Sequence, residues 1–74
     1  MKTIAKNRTA KVEEIFRNAT TCMAYDKENK YTAEACDKSW ALNELRTFHF
    51  ARLIDMEDGT YKVKVHSCCW YKLS

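Results

Sequence analysis

Arg46-Thr-Phe-His-Phe-Ala-Arg-Leu-Ile-Asp-Met-Glu-Asp-Gly-Thr-Tyr-Lys-Val-Lys-Val-His-Ser-Cys-Cys-Trp-Tyr-Lys-Leu-Ser74 is the stretch that decides the fold class. Gly59, the single glycine of the chain, follows Asp58. Asp-Gly between alternating apolar residues is the strongest short-range signal of a β-hairpin. A two-residue turn at Asp58-Gly59 pairs Met56 with Tyr61, Ile54 with Val63, Phe50 with Ser67 and Phe48 with Cys69. Val65, Tyr71 and Leu73 share that face, which becomes the core side of the sheet. A one-residue slip is disfavoured in this reading, because it sets Phe48, Phe50 and Ile54 beside Lys62, Lys64, His66 and Trp70. A four-residue loop keeps the parity.

Upstream of the hairpin the period changes from two to 3.6. Ile4, Ala5, Val12, Ile15, Phe16, Ala19, Cys22 and Met23 fall within an arc of roughly 120° on a helix, so Ile4 to Met23 reads as one amphipathic helix. Arg8 interrupts the arc, and the helix either frays in its first turn or starts near Thr9. Lys2, Lys6, Lys11 and Arg17 occupy its outer face. Asp26 to Lys30 forms a polar connection. Thr32 then caps a second helix, with Glu34 in the first turn where the helix dipole favours an anion. Ala35, Ala41, Leu42 and Leu45 make its apolar stripe, while Cys36 and Trp40 point away from it. Trp40 is either packed on the loop after the first helix or exposed as a contact residue. The expected class is α+β: two helices followed by a C-terminal antiparallel β-hairpin, in a single small domain spanning residues 1–74.

A chain of 74 residues lies near the lower limit for an unaided core, and such domains have a net stability of only about 3–5 kcal/mol. Apolar residues make up 46% of it, with one glycine and no proline, so linkers and low-complexity segments are not expected. The net charge of +3 is unevenly spread. Lys2, Lys6, Arg8 and Lys11 stand at one end and Lys62, Lys64 and Lys72 at the other, and all the carboxylates lie between. Basic ends suit a nucleic acid or a carboxylate-rich protein surface. The first residues lack the apolar run of an export signal, and nothing approaches the ~18 apolar residues of a membrane span. The expected location is cytoplasmic.

The hairpin sorts the reactive side chains. In the two-residue-turn register His49 faces Cys68, with His66 diagonal to both, which raises the question of zinc. A tetrahedral site needs a fourth ligand and pairs spaced by two to four residues. Cys22 and Cys36 stand too far apart for that, and Cys68 and Cys69 point to opposite faces. No metal or other cofactor is expected, and Cys22, Cys36 and Cys69 read as small buried hydrophobes. A reducing compartment also disfavours disulfides. Cys68 with His49 supplies two parts of a nucleophilic site but no cleft or orienting acid, and one glycine cannot build a phosphate loop. The chain reads as not an enzyme.

What remains are binding surfaces. The second hairpin face offers Lys62, Lys64, His66, Trp70, Lys72, Arg46 and His49. Cations alternating with an aromatic suit phosphate contact and base stacking, and they suit an acidic protein partner equally. For Lys62 and Lys64 the plainer reading is a solubilising outer face that guards the sheet edge.

Two resemblances frame the function. In size and style the chain is similar to small phage proteins that block host machinery, the anti-CRISPR proteins among them. That implies a protein-binding inhibitor that occupies a host nuclease or another nucleic-acid-handling protein. Trp40, Trp70, Tyr25, Tyr31 and Arg46 would be its anchors, and Asp26, Glu28, Glu34, Asp37 and Glu44 its mimics of phosphate charge. Thr32 to Ser39, Trp40 to Leu45 and Arg52 to Tyr61 also resemble part of a winged helix-turn-helix. That likeness implies a DNA-binding regulator in which Ser39 caps the recognition helix, Asn43 and Arg46 face DNA, and Lys62 and Lys64 lie in the wing. The thin core leaves a homodimer, paired through hairpin edges or aromatic faces, as a further expectation.

Overall fold

In the computed structural model, which describes residues 1–7 and 9–74, six short strands form one antiparallel sheet with two helices on one of its faces. The elements run β1 (Lys2–Ile4), α1 (Thr9–Asn18), β2 (Cys22–Asp26), β3 (Glu34–Ala35), α2 (Lys38–Thr47), β4 (Arg52–Asp55), β5 (Tyr61–His66) and β6 (Cys69–Leu73). The spatial order is β1-β4-β5-β6-β2-β3. The fold is therefore α+β, but the sheet is spread through the chain and is not confined to a C-terminal hairpin.

The long helix expected over Ile4 to Met23 is three elements. Val12, Ile15 and Phe16, spaced i, i+3, i+4, form the buried face of α1, which starts at Thr9. Arg8 itself lies outside the described residues. At the other end the Ala19 N–H still donates to the Ile15 carbonyl, but the Thr20 and Thr21 N–H groups turn to the Ser74 carbonyl. That draws the following residues alongside β6, where all five positions of β2 pair. Ladder partners available in the sheet override a helical periodicity that continues past Ala19 by coincidence. Lys6 precedes α1 and does not lie on its surface: its Nζ donates to the Phe48 carbonyl at 2.6 Å, while Lys38 donates to the Ala19 carbonyl at 2.7 Å. Each lysine thus brings a cation to a carbonyl at a helix C-terminus, and the Phe48 carbonyl also accepts the Ala51 N–H.

The second helix starts six residues later than Thr32. Asp26 and Asn29 bond each other's backbone N–H groups, and Lys30 and Tyr31 adopt positive φ. This sharp turn carries Glu34 and Ala35 back onto β2 as a strand. Asp37 is the N-cap of α2 and accepts the N–H and the hydroxyl of Ser39. Those two bonds, the backbone one larger, hold its carboxyl below the ordinary aspartate range. Neither Thr32 nor Ser39 is the cap. Ala41 and Leu45 are buried as expected, but Cys36 packs against the core and does not face away from it.

The hairpin forms around Gly59 with a different register. Met56 N–H bonds the Thr60 carbonyl, leaving Glu57, Asp58 and Gly59 as a three-residue loop. Glu57 and Gly59 take positive φ, at 64° and 91°. Asp55 accepts the Glu57 N–H, and Asp58 accepts from Thr60, so two carboxylates stabilise the odd length. An odd loop shifts the parity: Leu53 faces Val63 and Ile54 faces Lys62, the slip that the two-residue turn argued against. The ladder also ends at Arg52 and Lys64, because the chain folds back at Ser67-Cys68 and β6 returns along β5. Leu53, Val63, Val65 and Leu73 consequently line the helix-covered face together with Cys22.

Candidate binding face on the open side of the sheet

Alternation along β4, β5, β6 and β2 sends a second set of side chains to the face without helices. The ladder aligns them in two rows. One row runs Arg52, Lys64, Trp70, Tyr25, and the other runs Ile54, Lys62, Lys72, Met23. Four cations therefore stand on this face, and its strands place no carboxylate there; Asp58, in the turn, borders it. Among the described residues none of the four cations is in an ion pair.

Two pairs of these cations are directly opposite each other: Arg52 with Lys64, and Lys62 with Lys72. Like charges in that position destabilise a sheet. The Arg52 guanidinium turns part of its donor set to the His49 and Ala51 carbonyls, which relieves one pair. The Thr60 bonds, with Lys72 near enough to help, hold the Asp58 carboxyl below its ordinary range. Four cations against this one bordering carboxylate still leave the face with a net positive charge that suits an anionic partner.

The aromatic side chains are organised beside these cations. Tyr25 and Trp70 stack with centroids 5.6 Å apart and ring planes 12° apart, and Tyr31 stacks on Trp70 at 5.2 Å and 19°. Lys62 Nζ lies 4.7 Å from the Trp70 centroid, inside the range of a cation–π contact. Tyr31 comes from the turn before β3 and remains 44% exposed. Beside Trp70 a shallow depression is lined by Lys62 and Lys72, with Met56, Asp58 and Thr60 at its edge. Planar rings flanked by cations can stack on a base or a peptide plane while the cations meet phosphate or carboxylate.

The residues singled out from the sequence divide between this face and the helix side. Trp70, Tyr25, Tyr31, Lys62 and Lys64 come together on it. Trp40 does not; it stands 58% exposed in the first turn of α2. Asn43 is exposed on the same helix. Arg46 pairs with Glu13 of α1 at 2.8 Å, which joins the two helices. The carboxylates have local roles: Asp26 in its turn, Glu34 accepting from the Asn29 amide, Asp37 as a cap. Burial, then the neighbouring Glu44 carboxylate, raises the Tyr71 hydroxyl above its ordinary range. Glu28 is exposed in the loop. Arg52 was not among the candidates, because the even-loop register assigned it to the other face. The signal that finds it is the Asp-x-x-Asp-Gly-Thr pattern of side-chain acceptors that supports a three-residue loop.

The His49, His66 and Cys68 grouping does not form. His49 packs edge-on against Phe50, and His66 lies against Phe50 and Phe48, while Cys68 is exposed in the β5–β6 turn. Among the described residues no three His, Cys, Asp or Glu side chains are placed to share a metal ion. Over residues 32–61 a strand, β3, stands where the winged-helix likeness puts a helix. No described helix is long and apolar enough to cross a membrane. No protein-family model, curated protein or solved structure matches the chain.

Proposed function

We propose that this protein is a non-enzymatic binding domain whose open sheet face takes single-stranded nucleic acid. The observation that supports this most strongly is the two cross-strand like-charge pairs, Arg52/Lys64 and Lys62/Lys72, set beside the Tyr25–Trp70–Tyr31 stack. The cations would neutralise backbone phosphates and the rings would offer stacking planes that tolerate any base. This keeps the DNA-binding class that the sequence suggested but moves the contact from a recognition helix to the sheet. The reading assumes a cytoplasmic protein. Fluorescence anisotropy with a labelled mixed-sequence single-stranded oligonucleotide tests it. Micromolar binding at about 50 mM salt that weakens roughly 50-fold by 200 mM is expected for four phosphate contacts on a single strand. Binding absent at low salt, or indifferent to salt, would sink the reading.

One observation favours a second reading, a protein-binding inhibitor of the phage anti-CRISPR kind. Trp40 is 58% exposed on α2, apart from the basic face, and tryptophan is enriched at interface hot spots. In that reading a host nuclease or another nucleic-acid-handling protein is held through Trp40, and Trp40→Ala removes the interaction while the fold persists.

A further inference from the structure

Cys22 opens β2 and Cys36 follows β3, and the ladder between those strands brings the two thiols face to face. Met23 is opposite Ala35, so one position further along Cys22 is opposite Cys36, and the Cys36 N–H donates to the Cys22 carbonyl at 3.0 Å. Directly opposed residues of an antiparallel ladder have Cα atoms about 4.5–5.5 Å apart, inside the roughly 4.4–6.8 Å that a disulfide spans. The two Sγ atoms are 2.7 Å apart, well inside ordinary sulfur contact, and both thiols are free. Backbone register and side-chain approach therefore agree.

We infer that Cys22 and Cys36 form a reversible intramolecular disulfide by exchange with a small-molecule disulfide of the glutathione type. Cys36 is half-buried and Cys22 buried, which sets the order of events. The Cys36 thiolate attacks one sulfur of the small disulfide, forms a mixed disulfide and releases one small thiolate. Cys22 then attacks Cys36 Sγ, its proton passes to solvent or to a released thiolate, and the second small thiol leaves. Two protein thiols are oxidised and one small disulfide is reduced to two thiols. Burial, then the hydrogen bond with Cys36, pushes the Cys22 thiol up to about 12, in keeping with its entry second.

The bond closes the segment that carries Tyr31 onto Trp70. Oxidation thus fastens one member of the aromatic stack by removing freedom from the loop that presents it. The chemistry does not depend on what the sheet face binds.

The test is incubation of the full chain with oxidised glutathione, alkylation of remaining thiols, tryptic digestion and mass spectrometry. Cleavage after Arg17, Lys27, Lys30 and Lys38 separates the two cysteines. The expected product is peptide 18–27 joined to peptide 31–38, lighter by two hydrogens than the reduced pair. The melting temperature rises by about 15 °C, and dithiothreitol reverses both changes. A Cys68→Ser/Cys69→Ser variant gives the same joined peptides, and Cys36→Ser, at the more exposed position, gives neither the joined peptides nor the gain in melting temperature. Recovery of Cys22 and Cys36 as alkylated thiols, while Cys68 or Cys69 carries glutathione, would overturn the inference.

Discussion

Lys64→Glu combined with Lys72→Glu abolishes nucleic-acid binding and at the same time makes the domain more stable. The opposite signs follow from the ladder. Each substitution replaces a like-charge pair, Arg52/Lys64 or Lys62/Lys72, by an opposite-charge one, and cross-strand pairs of that kind contribute roughly 0.2–1 kcal/mol each. Binding loses two cations and gains two repulsive charges on the face. Each lost phosphate contact takes about 0.7 from the slope of log affinity against log salt on a single strand, so the slope falls to about half and any binding that remains is weak. Urea unfolding and anisotropy on the same preparation measure both effects. A variant that lost binding only by unfolding would deny the face its role. One that kept full affinity would show that the lysines are a solubilising surface.

Leu53→Ala unfolds the domain at room temperature, whereas Ile54→Ala leaves it folded. Leu53 is fully buried between β1 and β5, opposite Ile4 and Val63. Truncating such a leucine costs about 2–5 kcal/mol, comparable with the whole net stability of about 3–5 kcal/mol expected for a domain this small. Ile54 lies half-buried on the open face beside Lys62, and its truncation leaves no closed cavity. Circular dichroism in a urea series separates the two. The reverse ranking, with Ile54→Ala the more damaging, would mean that the even-loop register is the real one and that the two faces of β4 are exchanged.

That pair of leucine and isoleucine shows where the fold was legible and where it was not. The position of the first hairpin could be read from Asp58-Gly59, and the buried face of α1 from Val12, Ile15 and Phe16, because both signals are local. The register depended on whether the loop held two residues or three, which Asp55 and Asp58 decide by accepting the N–H groups of Glu57, at its start, and of Thr60, just past its end. The turn at Ser67-Cys68 left no mark because neither residue takes positive φ, so no glycine or asparagine is needed. The odd positions from Tyr61 to Leu73 are apolar except at Ser67, so the stretch reads as one strand. Strands β1 and β2 were hidden inside an apparent helical arc, since their pairing partners lie fifty residues or so downstream.

The face survived these errors in part. A two-residue turn with a bulge between Lys64 and His66 keeps Lys62, Lys64, Trp70 and Lys72 on one side, as a single strand also would. Tyr25 and Arg52 join them only through long-range pairing, and Tyr31 only through the turn at Lys30. Chemistry confined to one strand was therefore visible, and the assembled surface was not. The same holds for Cys22 and Cys36, which are distant in sequence and meet only because β3 returns onto β2.

The central claim is that the open sheet face makes the contact, and amide chemical-shift mapping tests it most directly. Titration of the nitrogen-15-labelled protein with a single-stranded oligonucleotide should shift the amides of Tyr25, Arg52, Lys62, Lys64, Trp70 and Lys72, and the indole of Trp70, while those of α2 stay in place. Shifts concentrated on Trp40, Asn43 and Arg46, with the sheet face unmoved, would contradict the account.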